Sequence, residues 1–564
     1  MGVALSALFA RDGIRKHLDK LDVLAEAEDA PLPLDAGDDA IYQAADAAAR
    51  HCYAVSDRLM MVDAILDAIR QECGRRGVSE PQGETNSERI ARAVDRGWWM
   101  RAIRKAHARR FEHAAIRLGF TSYRTGPYLS NESATRQARR NTQNAKLLAS
   151  IEVQNELGQT YSLAQLAALG TGNKAIRRGE LMTRIRGFEE VAQDLRHVGV
   201  FATLTCPSKY HGVLSASGEA NPKYIAFGSP TPRDAQAYLV GVWARTRAAL
   251  HRRGIHAYGF RIAEPHHDGC PHWHMLMFVA PEHQETYEAI IRKHALAEDG
   301  DEAGAEKNRV KFVSIDPGKG SAAGYIAKYV SKNIDGESVG DHRTVDGYLV
   351  VTDLTGEQEI TPSQRVTYWS QTWGIRQFQQ IGGAPIGVWR ELRRIQAETV
   401  ANAPEAIKGA WEAAQRRDDV QASFADYLRT QGGPTVGRNG LVQLAKRLCS
   451  IEGRYATYDA GKPCGVFHAK NENKVYESLR YVWTQKRLEA LAVAVPWTGV
   501  NNCTQFDYPD LQQRFKESTD RLGAAAKNQK ISAPAWVDWP EVRRQAKQVE
   551  QDSNKFAWRR NNRG

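Results

Sequence analysis

Two histidines one residue apart, His272 and His274, open the segment Pro271–Val279, whose composition is that of a strand. Side chains at i and i+2 of a strand share a face, so both imidazoles converge on one point. Two neutral imidazoles on a rigid strand can hold a divalent cation. About fifty residues later stand Tyr325 and Tyr329, in a segment that reads as a helix. Their i,i+4 spacing places both phenols on one face, roughly 5–6 Å apart at Cβ. A cation clamp followed by twin phenols points to DNA cleavage by tyrosine attack on a phosphodiester. A phenol with a pKa of about 10 needs help to act near neutrality. The cation supplies it, together with Lys332, three residues on from Tyr329, and Lys328.

A third ligand is expected from the preceding strand, His256–Glu264. The connecting turn Pro265–Cys270 contains Asp268-Gly269, a strong hairpin signal. A register centred on Asp268 puts Glu264 on the histidine face, whereas a slip of one residue puts it on the other. Glu264 is the preferred ligand; His266, His267 and Asp268 stay open as alternatives. Two imidazoles and a carboxylate leave positions on Mg2+ or Mn2+ for phosphate oxygens.

The elements that must position these groups read as an α+β domain with a central antiparallel sheet. His272, His274, Leu276 and Phe278 share one strand face, and Trp273, Met275, Met277 and Val279 the other. Both faces are largely apolar, which marks a central strand. Further strands are expected near 200–206 and 309–315, and helices at 232–253 and 283–297. Residues 1–88 read as an acidic helical region. Residues 89–197 read as a basic helical region that opens with a helix from about 88 to 118. Residues 198–399 hold the core, with a Gly/Asp-rich hairpin-like insertion after 336 and a basic helix from 387 to about 399. Residues 400–564 are mixed and mainly helical, with a possible strand at Gly465-Val466-Phe467.

The chain has 564 residues, a net charge of +11 and a pI near 9.2. That length suits roughly three or four domains of about 150 residues each. The charge is uneven: residues 1–50 hold 5 Lys/Arg against 10 Asp/Glu, and residues 91–150 hold 13 against 3. Aromatics interleave the basic stretch, among them Trp98, Trp99, Phe111 and Tyr123. Basic side chains with stacking surfaces suit a nucleic-acid partner, and Arg101, Arg104, Lys105, Arg109 and Arg110 are its candidate contacts. No apolar run approaches the roughly 20 residues of a bilayer span. The opening Met1–Ala10 has no basic flank and reads as a short helix or tail, not a signal peptide. Seven cysteines, without a CxxC pair, argue against a disulfide framework or zinc ribbon and for a reducing compartment. Gly318-Lys319-Gly320-Ser321 lacks the spacing of an ATP-binding P-loop and reads as a plain turn in preference to a phosphate cradle.

The pattern His272-Trp273-His274 resembles that of the HUH endonucleases, and Tyr325-Ile326-Ala327-Lys328-Tyr329 resembles their two-tyrosine version. The chain most resembles the bacteriophage replication gene A protein family. Further matches are Phe201–Ser208, Asp268–His274, Trp373–Phe378, Arg177–Leu181 and Gly387–Leu392. The resemblance runs from about 90 to 400, more weakly beyond. It implies an HUH-type nuclease core that nicks one strand of a replication origin. One tyrosine becomes linked to the 5′-phosphate and leaves a free 3′-OH for a host polymerase. The second tyrosine cleaves the regenerated origin, and strand joining releases a circle. The bond energy stays in the phosphotyrosine link, so cleavage and joining need no ATP; unwinding falls to a host helicase, in the bacterial cytoplasm. Rival readings are a two-tyrosine transposase or plasmid initiator, a non-catalytic origin-binding protein, and a zinc hydrolase. The zinc hydrolase is disfavoured by the missing HExxH signature.

Overall fold

The structure is a computed structural model, and it describes residues 31–214, 217–315, 321–334, 360–416 and 421–486. The expected hairpin-like insertion, the Gly318–Gly320 turn, and the side chains of Lys328 and Lys332 lie outside the described residues.

The described residues open with α1 (Asp38–Arg58), α2 (Val62–Arg75), α3 (Asn86–Ala93) and α4 (Arg96–Leu118). The single helix expected over 88–118 is thus two. The cause is Asp95, whose carboxylate accepts the Gly97 and Trp98 amides at 2.9 Å each and starts a new helix. Small residues on α1, Ala44, Ala45 and Ala48, pack in one cluster with Ile65, Ile69, Trp99 and Ile103. Next come α5 (Asn131–Ser150), the short strands β1 (Glu152–Asn155) and β2 (Thr160–Ser162), and α6 (Lys174–Asp194).

The central sheet contains β3 (Val198–Leu204), β4 (Tyr258–Pro265), β5 (Pro271–Val279), β6 (Val310–Ser314) and β7 (Phe378–Ile381). Its order is β6-β3-β5-β4-β7, with every neighbouring pair antiparallel. The histidine strand β5 is therefore the middle strand, and all nine of its residues are buried. Its two faces belong to different apolar clusters. Leu276 and Phe278 pack with α6 and with α9 (Ala322–Ile334), the tyrosine helix. Trp273, Met275, Met277 and Val279 pack with α7 (Pro232–Arg252), α8 (Gln284–Ala295) and α10 (Pro362–Trp373). The alternation expected of a central strand is what sorts the helices onto the two sides.

After helices Glu405–Ala414 and Phe424–Gln431 the chain forms a second antiparallel sheet, β8 (Val442–Glu452), β9 (Thr457–His468) and β10 (Asn471–Glu477). The possible strand at Gly465-Val466-Phe467 lies in β9, whereas the rest of this sheet stands where mainly helix was expected, and the reason is exposure. The outer half of the β8–β9 hairpin is solvated on both faces, so it carries little period-two hydrophobic signal. Its tip returns to the start of α4. Arg454 and Tyr455 both bond Asp95, at 2.8 and 2.5 Å, and Arg101 donates to the Tyr455 hydroxyl at 2.8 Å. The last strand among the described residues, β11 (Trp483–Gln485), pairs antiparallel with β1. No helix among the described residues is long and apolar enough to cross a membrane.

Candidate metal centre and tyrosine site

The β4–β5 hairpin pairs Glu264 with His272 and Ile262 with His274. This is the register centred on Asp268, and it brings Glu264 onto the histidine face. The turn is pinned by several bonds. The His266 amide donates to the Cys270 carbonyl at 2.7 Å, the Tyr128 amide donates to the His267 carbonyl at 3.0 Å, and the Trp369 indole donates to the Gly269 carbonyl at 2.8 Å. Gly269 has φ +82°, a left-handed conformation that favours glycine at this corner.

Glu264, His272 and His274 are buried, and one donor atom from each lies within 4.8 Å of the others. The two Nε2 atoms are 3.0 Å apart, and Glu264 Oε2 is 3.8 Å from His274 Nε2. A cation about 2.1 Å from each ligand has neighbouring donors about 3 Å apart, so the imidazole pair fits a divalent ion. Thr203, which pairs with His274 across β3 and β5, brings its hydroxyl to 3.1 Å from His274 Nδ1. That contact fixes the ring and leaves Nε2 facing the centre.

The tyrosine helix α9 lies over the same face, anchored by Ile326, Val330 and Ile334. The Tyr329 ring packs against His274 at 4.1 Å and against Phe201 at 5.4 Å. Tyr325 sits one turn earlier and is half-buried. The N-terminus of α9 is held by Glu189, whose two carboxylate oxygens accept the Ala322 and Ala323 amides at 2.6 and 3.0 Å. A carboxylate therefore occupies the helix end where a DNA phosphate was the disfavoured sequence reading.

Beyond the triad, the His266 ring lies 4.1 Å from His272 and 5.1 Å from His211. Nδ1 of His211 lies 2.9 Å from Asp268 Oδ2, and Asp268 Oδ1 accepts the Cys270 amide at 3.0 Å. Burial works against charge on both partners, yet their mutual attraction wins. It holds the Asp268 carboxyl below its ordinary range and the His211 imidazole above its own. His211, Thr203 and Glu189 were missed in the sequence. Thr203 was within reach, because strand parity places it beside Phe201 on the face that meets the histidines.

The five basic candidates separate. Arg104 is buried, 3.0 Å from Asp38. Arg109 donates to the Thr372 and Trp373 carbonyls at 2.9 and 3.3 Å, and burial lowers its pKa to about 10. Arg110 donates to the Leu32 carbonyl. Arg101 and Lys105 are exposed. Elsewhere, two of the short matching motifs meet: Arg390 forms a two-pronged ion pair with Glu180 at 2.7 and 3.0 Å.

Comparison with known proteins follows the same direction. The sequence model described as "Bacteriophage replication gene A protein" matches residues 38–337. The replication gene A protein of Escherichia phage 186 is 39% identical over 464 residues, covering 77% of this chain and 63% of that protein. The probable replication protein P12 of Pseudoalteromonas phage PM2 is 35% identical over 416 residues, 72% of this chain and 60% of that one. A protein of Salmonella typhimurium named probable replication endonuclease from prophage-like region is 31% identical over 449 residues, 76% of this chain and 53% of its own length. The chain thus spans between about half and two thirds of the length of these relatives. No solved structure matches.

Proposed function

The chain belongs to the bacteriophage replication gene A protein family, and from that premise we propose that it is a strand-specific DNA endonuclease and joining enzyme that initiates rolling-circle replication. The observation that carries the reading is the phenol of Tyr329 packed at 4.1 Å on His274, one of three converging metal-type ligands. Glu264, His272 and His274 hold Mg2+ or Mn2+, which when bound supplies positive charge for the scissile phosphate. Tyr329 attacks phosphorus, forming a 5′-phosphotyrosine link and freeing a 3′-hydroxyl. Tyr325, one turn away on the same face, takes the second strand in the return step. Thr203 and the hairpin register keep the histidines fixed, so that little reorganisation is needed on attack. Lys328 and Lys332 are the proposed phosphate contacts on this helix. The substrate is single-stranded or supercoiled origin DNA, with a host helicase and host polymerase as partners in the bacterial cytoplasm.

The test is covalent capture. Origin-spanning oligonucleotides labelled at the 3′ end, with Mg2+ or Mn2+ and no ATP, are expected to give an SDS-resistant labelled protein band. That band should vanish in the Tyr325→Phe/Tyr329→Phe double variant. A band retained in the double variant, or absent from the wild type with metal supplied, sinks the reading. Persistent non-covalent DNA binding would then favour a non-catalytic origin-binding protein.

A further inference from the structure

The central sheet has rows as well as strands. One row on its histidine face runs Phe378, Ile262, His274 and Thr203, each the direct partner of the next. Tyr329 lies on the β3 side of His274, where it also meets Phe201. The other side of the triad is β4 and then the edge strand β7. Neighbouring strands are about 4.8 Å apart, so Phe378 stands roughly 10 Å from His274 along the row.

Two guanidinium groups come together at Phe378. Arg177, in the first turn of α6, places its guanidinium carbon 5.4 Å from the centre of the Phe378 ring. Arg376 donates Nε to the Phe378 carbonyl at 3.1 Å. The Ala263 amide donates to the Gln377 carbonyl at 2.8 Å, which carries the Ile262–Phe378 register one step further and brings Arg376 level with Glu264. Both arginines are exposed. The acids at hand are engaged elsewhere. Glu180, three residues on from Arg177, holds Arg390 at 2.7 and 3.0 Å, and Glu264 converges with the histidines. Two like charges gathered at one residue repel each other, and a phosphate between them turns that repulsion into charge-assisted hydrogen bonds.

We infer that Arg177 and Arg376 bind a backbone phosphate of the DNA strand beside the scissile one, on the β7 side of the triad. A stacked strand rises about 3.4 Å per nucleotide, so the roughly 10 Å between Phe378 and His274 corresponds to about one to three nucleotides. The strand is then gripped on the side of the triad away from Tyr329, which keeps the scissile phosphorus over the metal-type ligands while the tyrosine approaches.

The inference rests on the tyrosine-cleavage reading above, and its test keeps the two apart. An origin-spanning single strand is made with one neutral methylphosphonate linkage, placed at each position in turn. Binding is measured in the Tyr325→Phe/Tyr329→Phe variant, where no cleavage intervenes. One linkage is expected to weaken binding about tenfold. With Arg177→Gln and Arg376→Gln added, that same linkage should cost no more than about twofold, and the salt slope should fall by about 0.7. The nick mapped in the wild type should lie within about three linkages of it. Arg177→Lys with Arg376→Lys keeps both charges and should keep the slope. A loss of slope there equal to that of the glutamine pair assigns the arginines a structural part and overturns the inference. Full sensitivity at every linkage in the glutamine pair, or a coupled linkage remote from the nick, overturns it as well. A wild type that forms no adduct on the unmodified strand overturns the cleavage reading instead, because the coupling of the arginines to one phosphate is read from binding alone.

Discussion

Tyr329 and Tyr325 are chemically identical, and what separates them is their surroundings. Tyr329 packs against a triad histidine and stacks on Phe201, so Tyr329→Phe is expected to reduce first-strand adduct by at least about 10²-fold. Tyr325→Phe should leave first-strand adduct within a few fold and impair the return step; the labelled-oligonucleotide assay on first-strand and joining substrates reads both. The pair His211 and Asp268 gives a second prediction, now of stability. The Asp268 pKa is depressed, so its contribution is present above the unfolded value of about 3.9 and is lost as pH falls through the folded one. The His211 pKa is raised, so its contribution is full below about 6.5 and is lost as pH rises through the folded value. The melting-temperature gap between wild type and His211→Asn should therefore be widest between about pH 4 and pH 6.5 and narrow on both sides. A gap independent of pH would contradict the charged pair. At this scale the triad was legible, because side-chain parity and hairpin symmetry follow from spacing alone. His211 was not, because nothing in Lys209-Tyr210-His211 signals a partner 57 residues away.

The element that matters most for the tyrosines is their helix, and Glu189 is its cap. Glu189→Ala removes the acceptor for two amides at the helix start. A loss of about 1 kcal/mol is expected, with faster amide exchange confined to the first turn of α9. Exchange unchanged in that turn would mean the cap holds nothing. The basic helix α4 gives a contrast. Arg104→Ala removes a buried guanidinium that pairs with the exposed carboxylate of Asp38, and the lost packing and pairing should lower the melting temperature. Arg101→Ala with Lys105→Ala should leave the fold intact and reduce the salt slope of DNA binding by up to about two. Titrations of binding against salt check the second, and an unchanged slope removes α4 from the DNA surface. Sequence shows that a segment is basic, but it cannot show whether an arginine turns outward or spends its donors on carbonyls, as Arg109 and Arg110 do. It likewise hid the break at Asp95, because one acid among basic residues looks like ordinary surface. Strand β5 was plain, since burial on both faces leaves the apolar run Met275–Val279 behind its two histidines.

At the scale of the whole molecule, distant parts of the chain are tied together in pairs. The hairpin tip at Arg454 and Tyr455 meets Asp95, and β11 completes a sheet begun by β1 and β2. The second of these ties sets a schedule for synthesis. Thr484 bonds Gln154 across 330 residues of chain. At roughly 5–20 residues per second, β1 emerges from the ribosome roughly 15–65 s before β11 exists. Through that interval it shows an open edge to the cell, and the span is long enough for the entire five-stranded sheet to form first. The small sheet is then a late closure laid over a five-stranded core already made, and an arrest of translation before residue 483 would leave that edge bare.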